Sequence, residues 1–396
     1  MQAGEPTSTH SPCPDETSPG SRSAPERPSD VPSDPHEVEL FASPLAPERW
    51  ETYERVSRSY GCTREFIEYF ERPAAPALAL VRRRGDGQAR AAFLFTQDSA
   101  TVRVHGRFSA PSAEAVAAFA EAIFSRYPNA RRIGTGLIDA LPDPGAVRRP
   151  TLAVHEATEL RIALPATLAE YERTLSQDFV RRCRHDERRV ARELPAARFE
   201  TREGPDIPPW WISEVVRLNR DRMAAKNGRS VFSREYEEGI SRVARRHGCV
   251  TVLHDGARVY AGVVDIRCGT DVFGWVIGHD DAFGKLGPGR LVQLAATRHC
   301  IARGYRTIHL LHGQSSYKQA VGGRVAELAE YVVLRSWSAL RPRDLVRVAG
   351  NEGARFARRS VDRADEFARR ALGRRGAPVR SLLQSLVRTA RRATAG

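Results

Sequence analysis

The 396-residue sequence is short of lysine, of cysteine and of long uncharged runs, and each shortage excludes something. Only Lys226, Lys285 and Lys318 are lysines among 62 basic residues, so the formal net charge of +14 reflects a preference for Arg that, with abundant Ala, suggests GC-rich coding. Arginine number alone therefore says little about nucleic acid, and the placement of the charge says more. The six cysteines (Cys13, Cys62, Cys183, Cys249, Cys268, Cys300) show no CxxC or Cys/His zinc spacing and are too sparse for a disulfide framework, so a reducing cytoplasm and no metal are expected. The longest stretch free of Asp, Glu, Lys and Arg is the eleven residues Thr307–Tyr317, against roughly 18 needed to span a bilayer. With no charged-then-apolar order at the N-terminus, neither a transmembrane chain nor a Sec-type precursor is expected. Gly-x-Ser-x-Gly, Walker-type and HExxH motifs are absent, so serine hydrolysis, P-loop and zinc peptidase chemistry have no support.

Residues 1–36 hold eight of the 25 prolines among Ser, Thr, Asp and Glu, the composition of a disordered leader. Residues 341–396 carry fifteen Arg against five acids, most of the chain's basic surplus. The core must lie between. There Ala77–Arg82, Arg90–Thr96 and Thr101–Phe108 are apolar or β-branched and separated by turn residues, which predicts an antiparallel meander. A helix through Val116, Phe119, Ile123 and Phe124 and a strand at Arg131–Ile138 follow. The same order recurs at Cys249–Leu253, Val259–Ile266, Val272–Ile277, Pro288–Arg303 and Thr307–His312, and the turn Gly85-Asp86-Gly87 matches His254-Asp255-Gly256. This reads as an internal duplication and an α+β fold of two similar lobes.

Between the lobes, Leu168, Tyr171, Leu175, Phe179, Cys183, Val190 and Leu194 stand at helical spacing and predict one amphipathic linking helix within 164–200. Its polar face carries Arg181, Arg182, Arg184, Arg188, Arg189 and Arg192, either a solvated face partnered by Asp186, Glu187 and Glu193 or an anion-binding ridge. Downstream, Gly274–Leu294 runs from a strand through a Gly-rich loop into a helix opened by Pro288 and Gly289. Free N–H groups and the helix dipole make such a place suited to phosphate, with Gly284, Gly287 and Gly289 permitting close approach and Lys285 and Arg290 adding charge. An ordinary turn has the same pattern. The context is more specific, because Gly313, with Tyr317 and Lys318 four and five residues on, directly follows the next strand.

Taken in order, the linking helix, Gly278-His-Asp-Asp-Ala-Phe283, Gly287-Pro288-Gly289, Ala302-Arg-Gly-Tyr305 and Tyr317-Lys318 make the run from Leu164 to about Leu334 resemble the BioF2-like acetyltransferase domain of the GNAT superfamily, related to the Fem aminoacyl transferases with two GNAT lobes in tandem. The resemblance implies two tandem GNAT-like lobes, 37–163 (degenerate) and 201–340, each a mixed, mainly antiparallel sheet flanked by helices. It also implies acetyl-CoA or another acyl-CoA as co-substrate, lying in the splay between a lobe's fourth and fifth strands with its phosphates on the Gly-rich loop. The chain departs from the family's pattern in two places. Gly284 stands where the phosphate motif has Gln or Arg, and the fifth strand carries His309 and His312, followed by Gln314 and Ser315, where acids are common.

Acyl transfer to an amine needs a base, dipoles for the thioester oxygen and an acid for the thiolate. The resemblance offers Tyr317 as the acid; a core tyrosine is the alternative. Asp265, His279 and His309 are the candidate bases, and Lys318 and His309 the candidate substrate contacts. Asp265 stands in an apolar strand, where charge is costly unless paired or functional, and alternation of faces separates His309 from His312. The resulting expectation is a cytoplasmic N-acyltransferase, an N-acetyltransferase in the first instance, acting on a small amine-bearing acceptor such as an amino sugar or amino-acid derivative. The alternatives are a Fem-like transferase using aminoacyl-tRNA and a non-catalytic anion-binding scaffold. The tail from Asn351 reads as a helix docked on the core, a basic helix on anionic membrane, or a polyanion or RNA contact.

Overall fold

The computed structural model describes residues 36–225, 230–312 and 316–351; the leader up to residue 35, residues 226–229 with Lys226, residues 313–315 with Gly313, Gln314 and Ser315, and the tail beyond Asn351 lie outside these. The chain begins with β1 (His36–Phe41), α1 (Pro47–Ser57), α2 (Arg64–Phe66), β2 (Ala77–Arg83), β3 (Ala89–Asp98), β4 (Thr101–His105), α3 (Ala113–Arg126), β5 (Arg132–Asp139) and β6 (Thr151–Ala163). After α4 (Leu168–Thr174) and α5 (Gln177–Glu193) the order repeats. It runs through β7 (Arg198–Glu203), α6 (Pro209–Ala225), α7 (Arg234–His247), β8 (Gly248–His254), β9 (Val259–Cys268), β10 (Asp271–His279), α8 (Pro288–Ala302), β11 (Thr307–His312), α9 (Ser316–Ala320) and β12 (Arg324–Leu334). The meander, helix and strand expected twice are present twice, each preceded by a strand and two helices that the sequence pattern did not announce.

Two boundaries differ from expectation for local reasons. β4 stops at His105 rather than Phe108 because Gly106 takes φ +89, outside the strand region. The linking helix is two helices: Leu175 is extended (ψ 156), and Ser176 opens α5 by accepting the Phe179 N–H on its side chain. Tyr171, Leu175, Phe179 and Cys183 are buried on both sides of this break, which is why their spacing reads as one helix.

All twelve strands form one sheet, ordered β1-β2-β3-β4-β5-β12-β6-β11-β10-β9-β8-β7. Among the described residues only β4/β5 and β10/β11 are parallel. The last strand of each repeat crosses to the other, since β12 pairs with β5 and β6 pairs with β11, while β6 and β12 pair with each other at the centre. Main-chain ladders therefore join the halves. On one face, α8 and α5 cover Leu160, Ile162, Ile308 and Leu310; on the other, α6 and α7 cover Val264, Ile266, Phe273 and Trp275. Each such fully buried side chain contributes about 2 kcal/mol.

Residues 342–351 form a further helix docked on the first repeat. Asp344 receives Arg132 through two hydrogen bonds of 2.9 and 3.0 Å, both side chains being buried, and Asn351 Nδ2 donates to the Ala153 carbonyl. Among the described residues no helix is long and apolar enough to cross a membrane.

Candidate active site

The site is built where the sheet parts. β10 and β11 pair only at Asp271–Thr307, Val272–Ile308 and Phe273–His309. Beyond that, β10 follows β9, with a register shift between Gly274 and Val276 that takes Trp275 out of the ladder. β11 follows β6, with a shift between His309 and His312 and Leu311 at φ +53. The alternation expected to separate His309 from His312 is therefore interrupted. Lys318 Nζ donates to the Leu310 and Leu311 carbonyls at 2.6 and 3.2 Å, so the parted strand keeps partners for its acceptors. Burial pulls the Lys318 ammonium down to about 8. These bonds tie to β11 a side chain expected to meet substrate.

The equivalent parting in the first repeat is closed again. β4 and β5 also pair over three residues, but the Phe108 N–H then donates to the Leu137 carbonyl at 2.5 Å and the Asp139 N–H to the Ser109 carbonyl at 2.9 Å. Gly136 lies so close to Gly106 that a Cβ on it would stand 2.0 Å from the Gly106 carbonyl oxygen.

Where β10 and β11 begin to part, at their last paired position, buried His309 stacks on Phe273 with ring centroids 4.1 Å apart. Its Nδ1 lies 3.0 Å from Oε1 of Glu159, a fully buried carboxylate on β6. Arg161 Nε donates to the same oxygen at 2.5 Å, and its guanidinium also grips Asp139. Burial opposes ionisation of Glu159, but the His309 hydrogen bond and the charges of His309 and Arg161 outweigh it and hold the carboxyl below its usual range. When the imidazole is neutral, a carboxylate on Nδ1 favours the tautomer that leaves Nε2 as a proton acceptor. His309 lines a cleft of about 1090 Å³ that extends to α1 and the β2–β3 hairpin. Sequence reasoning passed over Glu159, because only the long-range register of β6 with β11 brings it to His309.

The other face holds Asp265 and Tyr317. The Tyr317 hydroxyl donates to Gln293 Oε1 on α8 at 3.1 Å, and burial raises its pKa, with the nearby Asp265 adding to the shift. Asp265 is fully buried opposite Gly274, and desolvation pushes its carboxyl up to about 8. It is thus mostly protonated at neutral pH, which does not suit a general base there. Its Oδ1 and Gln293 Nε2 are both buried without a hydrogen-bond partner.

His279, Lys285, Gly287, Gly289 and Arg290 form a third group at the start of α8. His279 is six residues past Phe273, roughly 20 Å along the strand, so it stands apart from His309. Its ring packs on Gly289, where a Cβ would lie 2.7 Å from Cδ2, and its Nδ1 is 3.3 Å from Asp281. Gly287 caps α8 at φ +64. Arg290 folds back across Gly287 onto the buried carboxylate of Asp186 in α5, and is committed there. Lys285 is exposed, and its carbonyl accepts Arg189 Nη1 at 2.9 Å. The arginine face of α5 does border this loop, but Arg181, Arg184, Arg189 and Arg192 are already paired with carboxylates. For an acyl-CoA the fit is partial: the glycine cradle, Lys285 and the unpartnered Nε2 of Gln293 suit it, whereas Arg290 serves the fold.

Residues 177–319 match the family described as Acetyltransferase (GNAT) domain. No curated protein matches the chain. Among solved structures, FemX is similar at a TM-score of 0.56 and 9% identity, covering 75% of this chain and 97% of its own. A C-terminal domain (DUF2156) of a putative lysylphosphatidylglycerol synthetase from Agrobacterium fabrum gives 0.46 at 13% identity, covering 74% and 93%. A tandem GNAT protein from the clavulanic acid biosynthesis pathway gives 0.35 at 14%, covering 75% and 98%. The likeness in overall fold is carried by FemX.

Proposed function

We propose that this chain, whose residues 177–319 match the acetyltransferase (GNAT) domain and whose fold is similar to that of FemX, is an acyltransferase that moves an acyl group from acyl-CoA to the amine of a small acceptor by direct attack. The observation that carries this is the open parting of β10 and β11, with a carboxylate-held histidine where it begins, set against the resealed parting of the first repeat. In this reading the thioester lies between β10 and β11 and the amine approaches through the cleft. His309 Nε2 takes the amine proton as nitrogen attacks the carbonyl carbon, and Glu159 stabilises the imidazolium. The backbone around Trp275, out of register with β9, faces the developing oxyanion. As the C–S bond breaks, the Tyr317 hydroxyl, held by Gln293, gives its proton to the thiolate.

The test is thiol release from acetyl-CoA by the full chain with a panel of amines. His309→Gln is expected to lose about a hundredfold or more in kcat with the fold retained; full activity would remove His309 from the mechanism. Fem-like transfer from aminoacyl-tRNA is the second reading, favoured by the commitment of Arg290 to Asp186. Turnover that requires charged tRNA and disappears with ribonuclease would select it.

A further inference from the structure

The cleft over His309 is lined by six arginines and two aspartates. Three of these guanidiniums are committed: Arg82 to Glu39 at 3.1 Å, Arg90 to Asp86 at 2.6 Å, and Arg161 to Asp139 and Glu159. Arg55, Arg58 and Arg324 have no carboxylate partner among the described residues. Arg55 reaches only the Thr52 hydroxyl, at 3.5 Å. Arg58 ends α1 in the left-handed region (φ 48), and its stem lies along the β9–β10 turn, with Cγ 3.6 Å from where a Gly269 Cβ would stand. Arg324 opens β12 directly across from Arg161, which is itself across from His309. Two strand spacings therefore separate the Arg324 and His309 backbones, about 10 Å. Like charges gathered in a cleft repel one another until an anion joins them, and guanidiniums prefer phosphate or carboxylate oxygens.

Resting on the reading of this cleft as the acceptor's side of the transferase, we propose that the acceptor is a small amine bearing at least two negative charges, as a phosphate or paired carboxylates, held by Arg58 and Arg324 with its amine toward His309. The anionic groups anchor the acceptor one sugar-ring length or so from the reacting nitrogen, and Arg55 raises the local potential. Specificity would then be set by the first repeat as much as by the second, because α1 supplies Arg58.

Calorimetric titration of pyrophosphate and of citrate into the full chain, without acyl donor, decides the proposal, the two probes separating phosphate from carboxylate preference. Binding is expected to weaken about tenfold or more in the Arg58→Gln/Arg324→Gln double variant and to persist in Lys285→Ala, which reports the α8 loop. Binding that the double variant leaves intact, or that only Lys285→Ala removes, overturns the proposal, as does no binding of either probe. Turnover gives the second readout. The kcat/KM ratio of glucosamine 6-phosphate to glucosamine, or of L-glutamate to L-glutamine, should exceed tenfold and fall toward one in the double variant. Probe binding through Arg58 and Arg324 with no transfer from any acyl donor would leave the anion site standing and remove the transferase reading. Equal use of charged and neutral acceptors, with binding indifferent to the double variant, would do the reverse.

Discussion

Asp265→Asn separates a desolvated acid from a working base. The Asp265 carboxyl is fully buried, its Oδ1 has no hydrogen-bond partner, and burial alone raises its pKa to about 8. In the unfolded chain the same group ionises near about 3.9. The folded state therefore holds a proton that the unfolded state releases between those values. Its contribution to stability is full below about pH 4 and is lost as pH rises through about 8. At about 1.4 kcal/mol per unit, the loss reaches roughly 4 kcal/mol at pH 7 and levels off above pH 8. Asparagine has nearly the same shape and no proton to lose. The unfolding free energy of the variant minus that of the wild type should thus climb by about 1.4 kcal/mol per pH unit from pH 5 to pH 8. Any fixed cost of seating the amide shifts this line without changing its slope. Urea unfolding of both full-length proteins at four pH values measures it. A difference independent of pH would refute the reasoning, since it would mean that Asp265 is ionised and compensated in the fold. Activity supplies an independent readout: the variant should keep most of its turnover at pH 7, and a hundredfold loss in a folded protein would restore Asp265 as the base.

Glu159→Gln should lower kcat about a hundredfold or more by loosening the tautomer and charge of His309. Because the Glu159 pKa is depressed in the fold, the stability it gives is present above its unfolded value and lost as pH falls through the folded one, so the variant should also flatten acid unfolding in that window. Tyr317→Phe leaves Gln293 Oε1 without its donor, costing about 1 kcal/mol in thermal or urea unfolding. If Tyr317 protonates the thiolate, kcat falls while the acceptor KM holds, and unchanged kcat would return it to a packing role. Gly136→Ala places a Cβ 2.0 Å from the Gly106 carbonyl oxygen, backbone against backbone, and should cost about 3 kcal/mol or more in the same assay; a neutral outcome would mean that the first repeat is not sealed.

What the sequence disclosed and what it withheld divide along the range of the interactions. Strand, helix and turn signals act over a few residues, so the two copies of meander, helix and strand were legible within a residue or two at most ends, as was the strand, Gly-rich loop and helix around Gly287. The break at Leu175 was hidden because an apolar stripe on one face persists through a change of backbone, and only the Ser176 side chain marks it. The first strand of each repeat is short and mixed in pattern, with no period to announce it. The exchange of β6 and β12 has no local signature, since either strand could pair with either half. Yet that exchange makes the site. It brings Glu159 from the end of the first repeat against His309 in the second, and it sets Arg324 two strands from the same histidine. The candidate site residues legible in the sequence all lie in the second repeat, because local patterns there look like chemistry. The acidic partner of His309 and the arginines facing it came from the first repeat and from the crossing strand. A lobe whose own parting is stitched shut therefore still contributes half of the cleft. It does so through α1 and β6, elements whose charged residues read locally as ordinary surface and whose meaning depends on a pairing some 150 residues away.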